Sequence, residues 1–292
     1  MLSEYRVRLH FERAAYTYER AAALQTETAA RLIERLDLVR LRPRAILDAG
    51  CGTGRMARAL LARYPQAQVV ALDLALGMLR QASRNAPLWS RLTGGSSRML
   101  RVCGDLARLP LREGSIDMVC SNLALEWSVA PETALREALR VLARGGLFTF
   151  TTLGPNTLRE LRAAHPEPAA GVHRFRDMHD LGDMLVHAGY ADPVMDMEQI
   201  TLTFPDFSAL ARELRASGCT AAVPAAAGLR GRAFLRRLER GYEAARRDGR
   251  LPASFEIVYG HAWKAEHASR VAADGRAVVR VVPRRSVEQV PR

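Results

Sequence analysis

The stretch Ala45-Ile-Leu-Asp48-Ala-Gly50-Cys-Gly52-Thr-Gly54 decides the fold of this chain. A short apolar run ends at a carboxylate, three glycines follow at alternate positions, and a helical pattern begins at Arg55. Glycine permits a sharp bend and lets a ligand approach the backbone closely. The start of a helix adds unpaired N–H groups. The stretch therefore predicts a strand, a ligand-binding turn and a helix.

The spacing of the glycines points to the kind of ligand. Gly50, Gly52 and Gly54 follow the pattern G-x-G-x-G, whereas dinucleotide-binding folds carry G-x-G-x-x-G. Arg55 stands where that pattern has its third glycine, and Asp48 precedes the turn. These two features favour S-adenosylmethionine (AdoMet) over a nicotinamide cofactor.

Strand and helix patterns alternate through the first half of the chain. This alternation predicts an α/β fold, a doubly wound and mostly parallel sheet with helices on both faces. The predicted strands are Ala45–Asp48, Gln68–Leu72, Leu100–Cys103, Ile116–Ser121 and Leu147–Thr152. The predicted helices between them are Arg55–Tyr64, Gly77–Asn85 and Thr133–Leu142.

The two ends of the chain depart from this alternation. Residues 1–40 predict a cap of N-terminal helices, with helical spacing of apolar residues from about Tyr5 to Leu38. After a helix at His179–Ala188, the pattern predicts strands at Ile200–Phe204 and Phe255–Trp263. The second of these is expected to be a late antiparallel strand.

Two helices, Ser208–Ser217 and Leu229–Arg247, lie between those late strands and predict a helical insertion or lid over 205–250. Residues 1–264 are thus expected to form a single domain. Residues 265–292 are expected to be a disordered basic tail, since six arginines stand against Asp274 and Glu288 between Arg270 and Arg292.

Composition limits the remaining possibilities. A chain of 292 residues with 48% hydrophobic residues can form one large domain. Its apolar runs are too short for a membrane span, and no signal-peptide pattern opens it. The four cysteines have no C-x-x-C spacing, which favours reduced thiols, a cytoplasmic location and no metal site.

The formal net charge of +12 comes almost entirely from arginine, since Lys264 is the only lysine. Such a surface suits an acidic partner. The sequence carries no zinc-finger spacing and no RNA-binding aromatic signature, so nucleic acid is not expected.

Polar side chains stand at four successive strand ends, where open α/β sheets bind ligands. Asp48 suits the methionine ammonium of AdoMet, Asp73 the ribose hydroxyls, and Asp105 the adenine amino group. Asp73 or Asp105 alone has a simpler reading as a helix cap. The full predicted set is Asp48, Gly50, Cys51, Gly52, Gly54, Asp73, Leu74, Met78, Gly104, Asp105, Leu106, Asn122 and Leu123.

The chain resembles the class I AdoMet-dependent methyltransferases through Asp48–Gly54. More narrowly, it resembles the malonyl-carrier-protein O-methyltransferase family of biotin synthesis. The narrower motifs are Phe11–Tyr18, Ser121–Trp127, Phe150–Leu153, His173–Phe175, Asp177–Asp180 and Tyr259–Trp263. A mitochondrial complex I assembly factor, an arginine hydroxylase on the same scaffold, is also similar.

The resemblance implies a Rossmann-like fold and methyl transfer from AdoMet to the free carboxylate of a malonyl thioester. Acyl carrier protein or coenzyme A would carry that thioester, and S-adenosylhomocysteine would be the by-product. A carboxylate is already ionised at neutral pH, so no general base is required. Catalysis is then expected to depend on in-line positioning and on removal of water.

Two residues are predicted to act directly. Arg174 would hold the substrate carboxylate, because guanidinium matches that group bidentately. Tyr18 would close over the sulfonium, because an aromatic face attracts a cation. Trp127 is a candidate lining of the acyl channel, and His173 and His179 are candidates only for orienting substrate.

An acidic carrier protein would dock on a basic rim. Candidates for that rim on the inserted helix are Arg230, Arg232, Arg236, Arg237 and Arg240, although such arginines also suit a plain solvated face. Two alternatives remain open at the level of the sequence. One is methylation of another small acid or a quinone precursor, and the other is an AdoMet-binding assembly or protein-modification factor of the arginine-hydroxylase type.

Overall fold

A computed structural model describes residues 3–85, 98–165, 175–217 and 231–266 of the chain. The described strands form one seven-stranded sheet in the order β3-β2-β1-β4-β5-β7-β6. These strands are β1 (Ala45–Ala49), β2 (Gln68–Asp73), β3 (Met99–Cys103), β4 (Ile116–Asn122), β5 (Leu142–Leu153), β6 (Ala191–Phe204) and β7 (Leu251–Trp263).

Strand direction agrees with the sequence prediction. β1 to β5 pair in parallel, while β7 runs antiparallel to both β5 and β6. The five predicted parallel strands and the late antiparallel strand are therefore confirmed. Strands buried on both faces read as continuous apolar runs, and β1, β2 and β4 do so.

Helices cover the sheet. They are α1 (Glu4–Ala14), α2 (Tyr18–Ala21), α3 (Ala23–Arg35), α4 (Arg55–Arg63), α5 (Leu76–Arg84), α6 (Pro131–Val141), α7 (Arg159–Ala164), α8 (Met178–Ala188), α9 (Phe207–Ala216) and α10 (Arg232–Glu243). Short 3-10 turns occupy Leu36–Leu38 and Leu125–Trp127. Within the four described ranges, no helix has the length and apolar character needed to cross a membrane.

The predicted N-terminal helices are α1, α2 and α3, and the sequence pattern did not show where one ends and the next begins. The Thr17 backbone N–H and hydroxyl both donate to the Ala14 carbonyl, at 2.9 and 3.1 Å, which ends α1. Ala22, at φ −96° and ψ 38°, separates α2 from α3. Helical periodicity continued across both breaks, so it did not reveal them.

Strand β6 begins at Ala191, nine residues before the predicted Ile200. It is an edge strand, where Pro193 and charged side chains are tolerated because one side carries no ladder. Those residues interrupted the alternation on which the prediction relied. Strand β5 likewise begins early, at Leu142, with a register shift against β4 near Gly145.

The helical insertion contains α9 and α10, and its predicted link at residues 218–230 lies outside the described residues. Most of the predicted basic tail, from residue 267 onward, also lies outside them. The carboxyl ends of β1 to β4 meet at one edge of the sheet. Because the chain order reverses between β1 and β4, that edge is where such sheets bind ligands.

Candidate active site at the strand ends

The glycine turn after β1 is tied to the end of β2. The N–H groups of Gly50 and Cys51 donate to the Leu72 carbonyl at 2.8 and 2.9 Å. Gly50 has φ 83°, and a Cβ there would collide with the Ala124 side chain. Only glycine therefore allows the turn to close against the segment that follows β4.

Asp73 joins the first two strand ends. One carboxylate oxygen accepts the Gly52 N–H at 2.8 Å, and the other accepts the Ala75 N–H at 2.8 Å. Burial raises the pKa of Asp73 to about 6. Two carboxylate oxygens offer about four acceptor sites, so Asp73 retains capacity for a ligand hydroxyl.

Asp105 makes a similar local bond, since its carboxylate accepts the Ala107 N–H at 3.0 Å. The alternative reading of these two residues as helix caps is wrong, because Ala75 is the N-cap residue of α5, and the described segment after Asp105 forms no helix before the 3-10 turn at Leu125. Both residues also line the main cavity of the site.

Asp48 is the most unusual group of the site. The residue is only 1% exposed, and neither carboxylate oxygen has a hydrogen-bond partner among the described residues. Burial raises the pKa of this carboxyl to about 7. A buried carboxylate without a partner is strongly unfavourable, so the arrangement suits a ligand that supplies a cation or donors.

The main cavity lies between the strand ends and the N-terminal helices. It is lined by the predicted residues Tyr18, Gly50, Gly52, Asp73, Leu74, Met78, Gly104, Asp105, Leu106, Asn122, Leu123 and Trp127. Val7, Phe11, Leu72, Ala124 and Ser128 complete the lining and were not predicted.

A smaller adjoining cavity shares Tyr18, Gly50, Gly52 and Asn122 with the main one. Asp48 and Cys51 line this second cavity. The Cys51 thiol is buried, and burial raises its pKa, so a reactive thiolate is not expected there.

Gly54 lines neither cavity. It stands at the start of α4 with φ 81°, and a Cβ there would lie 3.0 Å from the Ala82 Cβ of α5. Its visible role is the close packing of α4 against α5.

Asn122 is fixed from two sides at the end of β4. Its side-chain N–H donates to the Gln25 carbonyl at 3.0 Å, and its carbonyl accepts the Thr151 hydroxyl at 2.8 Å. Leu123 follows with φ 48°, a left-handed conformation that is uncommon for a residue other than glycine. Strained backbone of this kind is frequent at functional sites.

The N-terminal helices supply the aromatic wall of the cavity. The Tyr18 ring faces Gly52, since a Cβ on that glycine would lie 3.6 Å from Tyr18 Cε1. The Phe11 ring meets the Trp127 ring edge to face, with centroids 5.5 Å apart and an interplanar angle of 77°. Trp127 thus lies at the site, as predicted, and Phe11 joins it.

Several predicted residues are not brought to the cavity. Arg174, His173 and Arg230 lie outside the described residues. His179 is exposed on α8 and lines neither cavity.

Glu126, a half-buried acid whose carboxylate points inward, belongs to this region and was missed by sequence reasoning. It accepts the Thr152 hydroxyl at 3.1 Å, and burial raises its pKa to about 8. Ala124 and Ser128, which line the cavity, could have been found by following the chain beyond the end of β4. Nothing in the sequence singled out the buried position of Glu126.

Comparisons with known proteins agree with this geometry. Residues 47–150 match a family model described as a methyltransferase domain. A malonyl-(acyl-carrier protein) O-methyltransferase from Methylovorus sp. is 49% identical, covering 98% of this chain and 97% of the relative. One from Laribacter hongkongensis is 50% identical, covering 95% of each.

Solved structures give the same fold. A putative methyltransferase from Bacillus halodurans has a TM-score of 0.56 at 19% identity, covering 82% of this chain and 99% of its own. A possible histamine N-methyltransferase from Thermotoga maritima has a TM-score of 0.51 at 18% identity, covering 88% and 99%. At such identities the likeness concerns the fold alone.

Proposed function

Because the chain belongs to the malonyl-(acyl-carrier protein) O-methyltransferase family, we propose that it methylates the free carboxylate of a malonyl thioester on acyl carrier protein. AdoMet would be the methyl donor, and the products would be the malonyl methyl ester and S-adenosylhomocysteine. One observation carries this proposal: the buried, unpartnered Asp48 carboxylate adjoins a cavity walled on its other side by aromatic rings.

The residues at the strand ends fit AdoMet. Asp48 would receive the donor's ammonium group, which would give its two unpartnered oxygens a cationic partner. Asp73 would accept the ribose hydroxyls, and Asp105 the adenine amino group. The adenine would pack against Leu74, Met78 and Leu106. Room for the donor would be left by Gly50, Gly52 and the backbone of Cys51 and Gly104.

When bound, AdoMet supplies a methyl group activated by a positively charged sulfur. The task of the protein is then to orient the acceptor carboxylate and to keep water out. Tyr18, Phe11 and Trp127 provide an apolar enclosure in which the attraction between anion and cation is stronger than in water. Asn122 and Leu123 are held rigidly by Thr151 at the adjoining strand end, so this wall can orient both reactants.

No proton has to be removed from the acceptor, since its carboxylate is ionised at neutral pH. Acid–base chemistry is therefore not assigned to any side chain of the site. Arg174 remains our proposed anchor for the acceptor carboxylate. Its support is the motif His173–Phe175 and the suitability of guanidinium for that group.

Carrier protein is the proposed partner, and α10 is the proposed place where it docks. Arg232, Arg236, Arg237 and Arg240 are exposed on this helix. Among the ion pairs found between described residues, none involves these four arginines. Their charge is therefore available to an acidic partner.

Mass spectrometry of malonyl carrier protein incubated with enzyme and AdoMet tests the proposal. We expect a gain of one methylene mass that an esterase removes. Acetyl carrier protein, which lacks the free carboxylate, is the matched control and should not change. AdoMet binding without ester formation would contradict the proposal and favour the protein-modification alternative.

A further inference from the structure

Helices α1 and α2, residues 4–21 and from here on called the cap, cover the main cavity, and two of their carboxylates bind the main domain. We propose that Glu12 and Glu19 are positioning residues that latch this cap closed, and that the cap swings open to admit AdoMet and release S-adenosylhomocysteine. The identity of these ligands rests on the proposed function. The latch itself rests on contacts of the described residues.

Glu19 binds residues at and just before the start of α4. One oxygen of its carboxylate accepts the Thr53 hydroxyl and, at 3.1 Å, the side-chain N–H of Asn85. The other oxygen pairs with the Arg55 guanidinium, and that of Arg58 lies 3.5 Å from the carboxylate. One cap side chain thus contacts four groups of the main domain, and it is the immediate neighbour of Tyr18.

Glu12 binds the first turn of α5. Its carboxylate accepts the Gly77 N–H at 2.8 Å, within the first turn of that helix. Carboxylates are favoured there by the unpaired N–H groups and the helix dipole. A Cβ on Gly77 would collide with the Glu12 carboxylate and would lie 3.3 Å from the Ala15 Cβ, so glycine allows this close approach.

The cap makes apolar contacts in two places. Ala14 and Ala15 pack against Ala75 and Met78, while Val7 is buried in the main core and the Phe11 ring packs against Trp127. Thr17 adds a hydrogen bond of 3.3 Å to the Ala216 carbonyl of α9. Opening the cap breaks these contacts in wild type and variants alike, so a change in opening on substitution of Glu12 or Glu19 reports the contribution of that carboxylate.

The cap also has a hinge. Ala22, with its non-helical backbone angles, connects α2 to α3. Helix α3 is anchored by Leu24 and Leu32, which are buried in the main core. A rotation at Ala22 would therefore move the cap while α3 stays in place, as expected of a residue at the end of an element.

The position of the cap explains why opening is needed. Its residues Val7, Phe11 and Tyr18 form one wall of the cavity, and the strand ends form the opposite wall. A donor held by Asp73 and Asp105 would lie between the two walls. Its departure rate should then follow the opening of the cap.

The experiment compares wild type with Glu12→Ala, Glu19→Ala and the double variant. S-adenosylhomocysteine is the probe, and its release is followed by stopped-flow fluorescence of Trp127 after Trp89→Phe and Trp263→Phe. Glu27→Ala is the matched control, because Glu27 pairs with Arg31 within α3, outside the cap. We expect release about tenfold faster in each single variant and faster still in the double, since a charge-assisted bond corresponds to roughly that factor.

Amide exchange of the ligand-free protein gives a second measurement that does not depend on the donor. Backbone amides of α1 and α2 should exchange about tenfold faster in each latch variant, while those of α3 and the sheet should not change. Glu12→Gln and Glu19→Gln keep an acceptor oxygen without the charge, so their exchange rates should fall between wild type and the alanine variants.

Release and exchange within twofold of wild type in the double variant would overturn the proposal. Equal acceleration in Glu27→Ala would overturn it as well. Should wild type fail to bind S-adenosylhomocysteine, the proposed function would be wrong, whereas the exchange measurement would still decide on the latch.

Discussion

The Gly52 amide donates to the Asp73 carboxylate at 2.8 Å, so one hydrogen bond joins the glycine turn after β1 to the end of β2. The same carboxylate accepts the Ala75 N–H, which fixes the approach to α5. Asp73 thus shapes the site and also presents acceptor capacity to the main cavity. A single side chain is placed to serve both structure and ligand binding.

Asp73→Asn should affect both roles. An asparagine side chain has a single acceptor oxygen, so one of the two backbone N–H groups and one ribose hydroxyl would lose their partners. We expect AdoMet affinity to fall about 100-fold, or about 2.7 kcal/mol, by isothermal titration calorimetry. Asp105→Asn, at the next strand end, should lower affinity less, because no bond from Asp105 to the glycine turn is present. Equal loss in both variants would contradict the special role of Asp73.

The buried Asp48 predicts a dependence of stability on pH in the ligand-free protein. Its pKa is raised from 3.8 to about 7, with burial as the main cause; the nearby Ala57 backbone N–H and the Arg58 guanidinium oppose the rise, and neighbouring Asp73 adds to it. The folded protein therefore keeps this proton over a range in which the unfolded chain has lost it. The free energy of unfolding should fall as pH rises from about 4 to about 7, by about 4 kcal/mol at most.

Asp48→Asn removes this contribution. The variant should be more stable than wild type at pH 8 without ligand, by thermal unfolding, and should bind AdoMet far more weakly. Asp73, whose pKa is about 6, adds a slope of the same sign in both proteins, so the difference between them isolates Asp48. A variant with the same pH slope as wild type would show that Asp48 is already ionised in the folded protein.

Much of the site could be predicted because strand ends are easy to read in a sequence of this kind. Four times in the sequence, a carboxylate or amide follows an apolar run. This pattern predicted that Asp48, Asp73, Asp105 and Asn122 lie at one edge of the sheet. The contribution of the cap was harder to predict. Phe11 lies far from the strands in sequence, and its contact with Trp127 depends on two helix breaks that leave the apolar periodicity intact.

Glu126 could not be found for a different reason. Its burial results from the packing of the 3-10 turn at Leu125–Trp127 beside Thr152, and no spacing in the sequence encodes that contact. The early start of β6 was also missed, because edge strands accept charged residues and proline that central strands exclude. Sequence patterns thus predicted the parts governed by strand ends and missed those governed by tertiary packing.

Gly50→Ala should be severely destabilising. The residue has φ 83°, and the added Cβ would collide with the Ala124 side chain. Backbone strain of about 1–2 kcal/mol and overpacking of about 1–3 kcal/mol should add, which chemical denaturation can measure. Gly114→Ala is the matched control, since Gly114 has φ 63° but no atom lies within 4 Å of the added Cβ. Similar losses in the two variants would show that the contact with Ala124 is unimportant.

Tyr18 should matter for its aromatic ring more than for its hydroxyl. Tyr18→Phe keeps the ring against Gly52, so we expect ester formation within about fivefold of wild type. Tyr18→Ala opens the enclosure and should reduce kcat about 100-fold, consistent with losing about 2.7 kcal/mol of transition-state stabilisation. Tyr5→Ala is a matched change on the same cap and should be nearly silent, because Tyr5 is 64% exposed and its ring meets Arg8 of the same helix. A strong effect of Tyr5→Ala would indicate disturbance of the cap as a whole.

The basic face of α10 should matter only for the protein-bound substrate. Arg236→Glu with Arg240→Glu reverses two exposed charges on the proposed docking helix, where Leu238 and Tyr242 hold the opposite side in the core. We expect kcat/KM for malonyl carrier protein to fall at least tenfold at low salt, through slower association, and the difference to shrink as salt screens the charges.

Malonyl-CoA should be methylated at the wild-type rate, because its binding requires no carrier-protein surface. Arg136→Glu, an exposed arginine on α6, is the matched control and should leave both substrates unaffected. Equal losses with carrier protein and CoA would mean that α10 acts on the reaction itself and that the carrier docks elsewhere.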